Sequence, residues 1–147
     1  MPEQNRPLRR YPALIPLSRE HHKLLVLAQL LKSDVPNYKG LPDTLEGKWN
    51  YTVSLSQNIM LRHFQQEEAQ LLPFGKSYSE LEPLLVQMQA EHTAILAAFA
   101  KCERELTATQ LDVLGRLIEQ HVRFEERQLF GLIQAHLTDD ELATLNF

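Results

Sequence analysis

Two segments of the chain share one spacing. HFQQEEAQL begins at His63 and HVRFEERQL begins at His121, and both read H-x-x-x-E-E-x-Q-L. On an α-helix, positions i and i+4 lie on one face, so His63 pairs with Glu67 and His121 with Glu125. A second echo accompanies the first: EHHKLL from Glu20 and EHTAIL from Glu91. Aligning these sets His21 against His92. The order along the chain is therefore H, H-x-x-x-E, H, H-x-x-x-E, as if two hairpins of helices carried the same groups. Folded together, they would bring four imidazoles and two carboxylates to one place. That mixed nitrogen and oxygen donor set suits iron, manganese, zinc or copper. Six donors are many for one ion that also needs an open position. They are natural for two ions, each with two histidines and with carboxylates between them.

The elements that must carry these groups read as helices throughout, because no alternating β-branched run stands between turn signals. Residues 1–17 hold four prolines and read as an irregular, extended N-terminal arm ahead of a bundle over residues 18–147. Apolar periodicity predicts a first helix from about Ser18 to Lys32. A loop follows, marked by Asp34, Pro36, Asn37, Gly40, Pro42 and Asp43. The second helix runs from about Thr44 to Leu72 and stops at Pro73–Gly75. In SYSELEP, Ser77 and Ser79 each have a Glu three residues on, which predicts a capping box opening the third helix. Pro83 is tolerable in its first turn. That helix reaches about Leu106. Thr107, with Gln110 three residues on, caps a fourth helix that ends near His136, and Thr138 with Glu141 predicts a short last helix. Four long helices with short links imply an all-α, antiparallel four-helix bundle.

The candidate ligands fall on apolar stripes. Trp49, Val53, Ser56, Ile59 and Met60 precede His63 on the expected inner face, with Tyr51 off it. Leu114, Leu117, Ile118, Leu129 and Leu132 surround His121. Placing imidazole and carboxylate in such a core is costly unless each group is satisfied, so something inside the bundle must satisfy both pairs. The ferritin-like dinuclear bundles use an E-x-x-H spacing, and no histidine here has a Glu three residues before it.

Bulk properties limit the alternatives. With 147 residues the chain is expected to form one domain with a real core. Net charge is −4, which argues against a nucleic-acid footprint, and the basic cluster NRPLRRYP is too short and too interrupted by proline for a DNA-reading helix. No apolar run reaches membrane-spanning length, and no signal-peptide pattern opens the chain. The single Cys102 excludes an internal disulfide framework. A cytoplasmic address is expected.

The four elements REHHKLL, LRHFQQEEAQL, AEHTAIL and EQHVRFEERQLF resemble, in order and spacing, those of the hemerythrin-like (HHE cation-binding) domain, over essentially the whole stretch from Ser18 to His136. The resemblance implies an up-down-up-down bundle holding two non-heme iron ions. It implies His21, His63, His92 and His121 as terminal ligands, and Glu67 and Glu125 as bridges, with zinc or manganese as possible substitutes. Members of that family bind dioxygen, respond to nitric oxide or oxidants, sense iron, or help repair damaged iron centres. The animal oxygen carriers have a second histidine in the third helix and an Asp five residues after the fourth-helix histidine. Here Leu96 and Glu126 stand at those places, as in the bacterial branch. Fewer imidazoles leave more open positions on the metals, which favours reactive small-molecule chemistry over reversible oxygen carriage.

Three functional readings follow. The first is a di-iron module that binds or senses dioxygen, nitric oxide or iron. The second is an enzyme acting on peroxide or nitric oxide, or aiding repair of iron centres. The third is a metal-poor bundle making a protein contact, and a sensor too would need a protein partner. Among neighbouring residues, the EHxx(L/I)L alignment selects His21 over His22, which is expected at the rim. Glu68 and Glu126 read as solvated, with support of the ligands as the other option. Glu20 and Glu91 are either exposed or line an access path. His136 reads as a helix C-terminal residue, Cys102 as a passenger and Trp49 as core.

Overall fold

The computed structural model describes residues 9–147, and every regular element within them is helical. The first eight residues of the arm, including the start of its basic cluster, lie outside the described residues. A 3-10 turn, Pro12–Leu14, leads directly into α1, Ile15–Leu31. The helix thus begins three residues before the expected Ser18. Pro16 sits in its first turn, where a missing N–H breaks no intrahelical bond and the fixed φ already suits a helix. The proline-rich stretch therefore starts the helix rather than delaying it. Gly40, with φ of 89°, turns the loop after α1 through a conformation side chains disfavour.

The second long helix has three parts: α2, Leu45–Leu55, a π-helical turn, Ser56–Met60, and α3, Leu61–Leu71. Thr44 caps it, its hydroxyl accepting from the Gly47 N–H at 3.0 Å. A short α4, Phe74–Ser77, occupies the expected stop. The third long helix, α5, Glu82–Arg104, has Leu81 as its N-cap with no side-chain bond, so the expected Ser77 or Ser79 capping box does not form. Pro83 in the first turn removes one donor that a cap would serve, and Leu81 is fully buried, so packing sets this start. The fourth long helix comprises α6, Ala108–Phe124, a second π turn, Glu125–Leu129, and α7, Phe130–His136. Thr107 caps it through the Gln110 N–H, and Thr138 with Glu141 forms a complete capping box opening α8, Asp139–Ala143.

The four long helices form a bundle in which α1 packs chiefly on α6 and α6 on α5. The apolar core is split in two. One cluster holds Leu24, Leu27, Met60, Phe64, Ile95 and Ile118; the other holds Leu17, Leu85, Met88, Leu129, Phe130 and Ile133. The candidate ligands lie between them. The inner face of α2 is Thr52 and Ser56, leading to Met60, whereas Val53 and Ile59 are only half-buried and Tyr51 packs against the core. The π turn explains the shift from the expected stripe. Buried Thr52, Ser56, Met60 and Phe64 recur every four residues, a step that drifts around an α-helix of 3.6 residues per turn, and the wider turn takes up the drift.

Gly115 marks the closest approach of α6 to α1. A Cβ there would lie 2.9 Å from the Ala28 carbonyl oxygen and 2.9 Å from the Leu31 Cβ. Neither can swing aside as a flexible side chain would. Gly115→Ala gains helix propensity of about 1 kcal/mol but forces the helices apart. The expected net result is a loss of about 1–3 kcal/mol in chemical denaturation. Unchanged or increased stability would show that α1 retreats without cost.

Candidate metal centre

His21 of α1, His63 and Glu67 of α3, His92 of α5, His121 of α6 and Glu125 at the start of the second π turn all meet in the layer between the two apolar clusters. Each is at most 2% exposed. His22, one residue from His21, is exposed, as the alignment of the two EH segments predicts. The six residues form two overlapping groups. His21, His63, Glu67 and Glu125 can offer donor atoms all within 4.8 Å of one another, and so can Glu67, His92, His121 and Glu125. Both carboxylates belong to both groups.

The rings present Nε2 to the centre. His21 Nε2 lies 2.9 Å from Glu125 Oε1 and His121 Nε2 lies 3.2 Å from it. His63 Nε2 lies 3.3 Å, and His92 Nε2 3.1 Å, from Glu67 Oε1. The opposite nitrogens face a second set of carboxylates. Nδ1 of His21 donates to Glu126 at 2.6 Å, Nδ1 of His63 to Glu20 at 3.1 Å and Nδ1 of His121 to Glu91 at 2.7 Å. Glu68 stands 3.7 Å from Nδ1 of His92, beyond direct hydrogen bonding. A carboxylate only accepts, so Nδ1 carries the proton and a neutral ring keeps its Nε2 lone pair directed inward. Such outer partners fix both the orientation and the tautomer of a ligating histidine. Aromatic walls hold two rings further: Phe130 stacks on His21 at 5.5 Å, and Phe64 on His92 at 4.0 Å.

For Glu126 the second sequence option, support of a histidine, is the one found, whereas the histidine contacts of Glu20 and Glu91 were not expected from sequence. Glu126 is no solvated face: it receives His21, the Ser18 hydroxyl at 2.8 Å and Arg10 at 3.3 Å. Glu20 and Glu91 are committed to hydrogen bonds across helices. The adjacent E-H and E-E pairs were the available signal, but which histidine each Glu reaches depends on how the helices pack. Other residues fall where expected: His136 is the last residue of α7, Cys102 is core, and Trp49 is partly buried against Phe99.

The layer fits a cation. Glu67 Oε2, Glu125 Oε2, His121 Nε2 and His92 Nδ1 are buried without a hydrogen-bond partner. Buried polar groups in native proteins are nearly always paired, and all four atoms belong to residues of the overlapping donor groups. Imidazole and carboxylate suit transition metals. Without a metal, protons do the neutralising. Burial pushes the His121 imidazolium down in pKa, but the Glu125 charge, hydrogen bonds to Glu125 and Glu91 and the Glu67 charge together outweigh it and raise the group to about 10. Burial pushes Glu125 up, and the charge and hydrogen bond of His121, with bonds from His21 and His63, hold it well below the usual carboxylate range.

A four-helix bundle with a buried layer of imidazoles and carboxylates from all four long helices is a cation-binding bundle by fold and site. Over residues 14–133 the chain matches the Hemerythrin HHE cation binding domain, and it belongs to that family. No curated protein and no solved structure gives a significant match. Among the described residues no helix is long and apolar enough to cross a membrane.

The raised pKa of His121 makes the metal-free chain sensitive to alkali. Its folded value of about 10 exceeds an unfolded value near 6.5. Its contribution to stability is therefore full below the unfolded value and lost as pH rises through the folded one. The melting temperature of the metal-free chain should fall between pH 7 and pH 10. Metal occupies the lone pairs that protons would otherwise hold, so a loaded chain should show a much flatter profile. Equal slopes with and without metal would show that His121 does not contact the cation.

Proposed function

We propose that the chain binds two non-heme iron ions and uses them to bind or sense a small ligand such as dioxygen or nitric oxide, or iron itself. One ion would be held by His21 and His63, the other by His92 and His121, with Glu67 and Glu125 spanning both. The observation that carries this reading is that these two carboxylates are common to both donor groups. Two cations side by side repel strongly at low dielectric, and anionic groups between them offset that repulsion. Zinc or manganese could substitute.

Bound iron would supply electron transfer and an exchangeable coordination position. The chain's own residues do the rest. Glu126, Glu20 and Glu91 aim the imidazoles, while Phe64 and Phe130 wall off water. Two histidines and two shared carboxylates per ion leave positions free for a diatomic ligand. Leu96, one turn beyond His92 on α5, is 40% exposed and adds no donor. The same free positions would serve an enzyme acting on peroxide or nitric oxide. A metal-poor contact bundle is disfavoured, because it would leave Glu67 Oε2, Glu125 Oε2 and His121 Nε2 buried and unserved.

Iron(II) loading without oxygen, followed by metal analysis, tests the reading. Two irons per chain are expected. Glu67→Gln or Glu125→Gln keeps the size, removes a charge and should lower occupancy toward one while helical content survives. Two irons in the double Gln variant would overturn the bridging role. His21→Ala should lose the ion that His21 helps to hold, whereas His22→Ala keeps nearly all of the metal. Nitric oxide should then change the optical spectrum of the loaded chain stoichiometrically. Sustained catalytic consumption of peroxide or nitric oxide would instead identify an enzyme.

A further inference from the structure

The two halves of the centre are alike in their histidines and unlike in what stands behind them. In the His21–His63 half, each outer carboxylate is paired with an arginine. Arg10 Nη2 lies 3.3 Å from Glu126 Oε1 and donates to the Glu126 carbonyl oxygen at 2.9 Å. Its guanidinium also sits 5.3 Å above the Phe130 ring that stacks on His21. The arm is pinned for this: Gln134 accepts from the Tyr11 N–H at 3.0 Å and donates to the Arg9 carbonyl at 2.8 Å. Arg62 lies 2.6 Å from Glu20, the acceptor for His63.

The His92–His121 half has no such pairing among the described residues. Glu68 meets only His92, at 3.7 Å. Glu91 accepts from His121 and from the neutral amide of Gln87 at 3.0 Å. Setting His63 against His121 makes Gln120 the counterpart of Arg62. Both residues line matching clefts: one of about 370 Å³ beside Arg19, Glu20 and Arg62, the other of about 350 Å³ beside Glu91 and Gln120. Arg123 and Arg127 also line the second cleft, but neither is in ion-pair contact with Glu91, and Arg123 faces Glu119 at 3.6 Å.

An arginine on the outer carboxylate acts in two ways, both of the same sign. It withdraws the negative charge that makes the imidazole a better donor. It also adds a positive charge near the cation. We propose that the two cation positions are unequal, the His92–His121 position being the tighter and first filled, and that Arg10 and Arg62 set the weaker affinity of the His21–His63 position. This rests on the dinuclear reading above. The N-terminal arm thereby acquires a role as a tuning element, with Arg10 acting on the metal through Glu126 and His21.

The test is an anaerobic titration of the metal-free full chain with iron(II) against a chromophoric chelator at low ionic strength. Two separate steps are expected, and His21→Ala should remove only the weaker. Arg10→Gln should tighten the weaker step by about tenfold. Arg62→Gln should do so by less, about threefold, because Arg62 is exposed and screened. Gln120→Arg, which places a cation where Arg62 stands in the other half, should weaken the tighter step by about threefold. Two indistinguishable steps would overturn the proposal. So would an Arg10→Gln variant that leaves the weaker step unchanged or loosens it, since Arg10 would then serve only to hold Glu126 in place. A single bound ion would refute the dinuclear reading instead. The inference would then survive if His92→Ala abolishes that ion and fall if His21→Ala does.

Discussion

Two carboxylates with no solvent exposure, Glu67 and Glu125, sit in the middle of a bundle between two apolar clusters rich in leucine, isoleucine, methionine and phenylalanine. Removing a carboxylate from water costs several kcal/mol unless an opposite charge and hydrogen bonds accompany it. The layer around them answers that constraint. Four imidazoles face inward, each from a different long helix, and with the two carboxylates they form groups that could hold a metal ion. Apolar clusters above and below exclude water and so strengthen every interaction within the layer. The stability of the chain and its capacity for a cation thus depend on one electrostatic requirement.

The requirement is met by a closed circuit of contacts. Glu20 of α1 reaches His63 of α3, Glu67 of α3 reaches His92 of α5, Glu91 of α5 reaches His121 of α6, and Glu126 beyond α6 returns to His21 of α1. Every long helix is thus tied to two others through an imidazole. The circuit repeats after half a turn because the chain repeats its H and H-x-x-x-E elements, yet the surroundings do not repeat. Among the described residues, an arginine from the arm and another from α3 pair with outer carboxylates in one half alone. The His and Glu layer is thus pseudo-symmetric in its residues and asymmetric in its electrostatic surroundings.

Backbone irregularity serves the same layer. Both π turns lie in the helices that carry H-x-x-x-E-E, one just before His63 and one starting at Glu125. Such single wide turns concentrate at functional sites. Here they let inward residues recur every four positions: His121, Glu125, Leu129 and Ile133 in the fourth helix. Close packing at Gly115 brings α6 against α1, so that His121 and His21 share a level.

The buried set of four histidines and two glutamates was legible in the sequence. Residues four apart share a helical face whatever the fold, so His63 with Glu67 and His121 with Glu125 needed no coordinates, and the repeated EH segments singled out His21 over His22. Helix count, the loop at Gly40 and the Thr44, Thr107 and Thr138 starts were legible too, since capping and turn chemistry act over a few residues. The serine caps before α5 were not, because Leu81 and its packing outweighed them. Nor were the start of α1 at Ile15, the π turns and the cross-helix partners of Glu20, Glu91 and Glu126. Local spacing determines what shares a face. Which carboxylate meets which imidazole, and which of those carboxylates an arginine reaches, depends on the rotation and height of one helix against another, and only the packing of the whole bundle decides that.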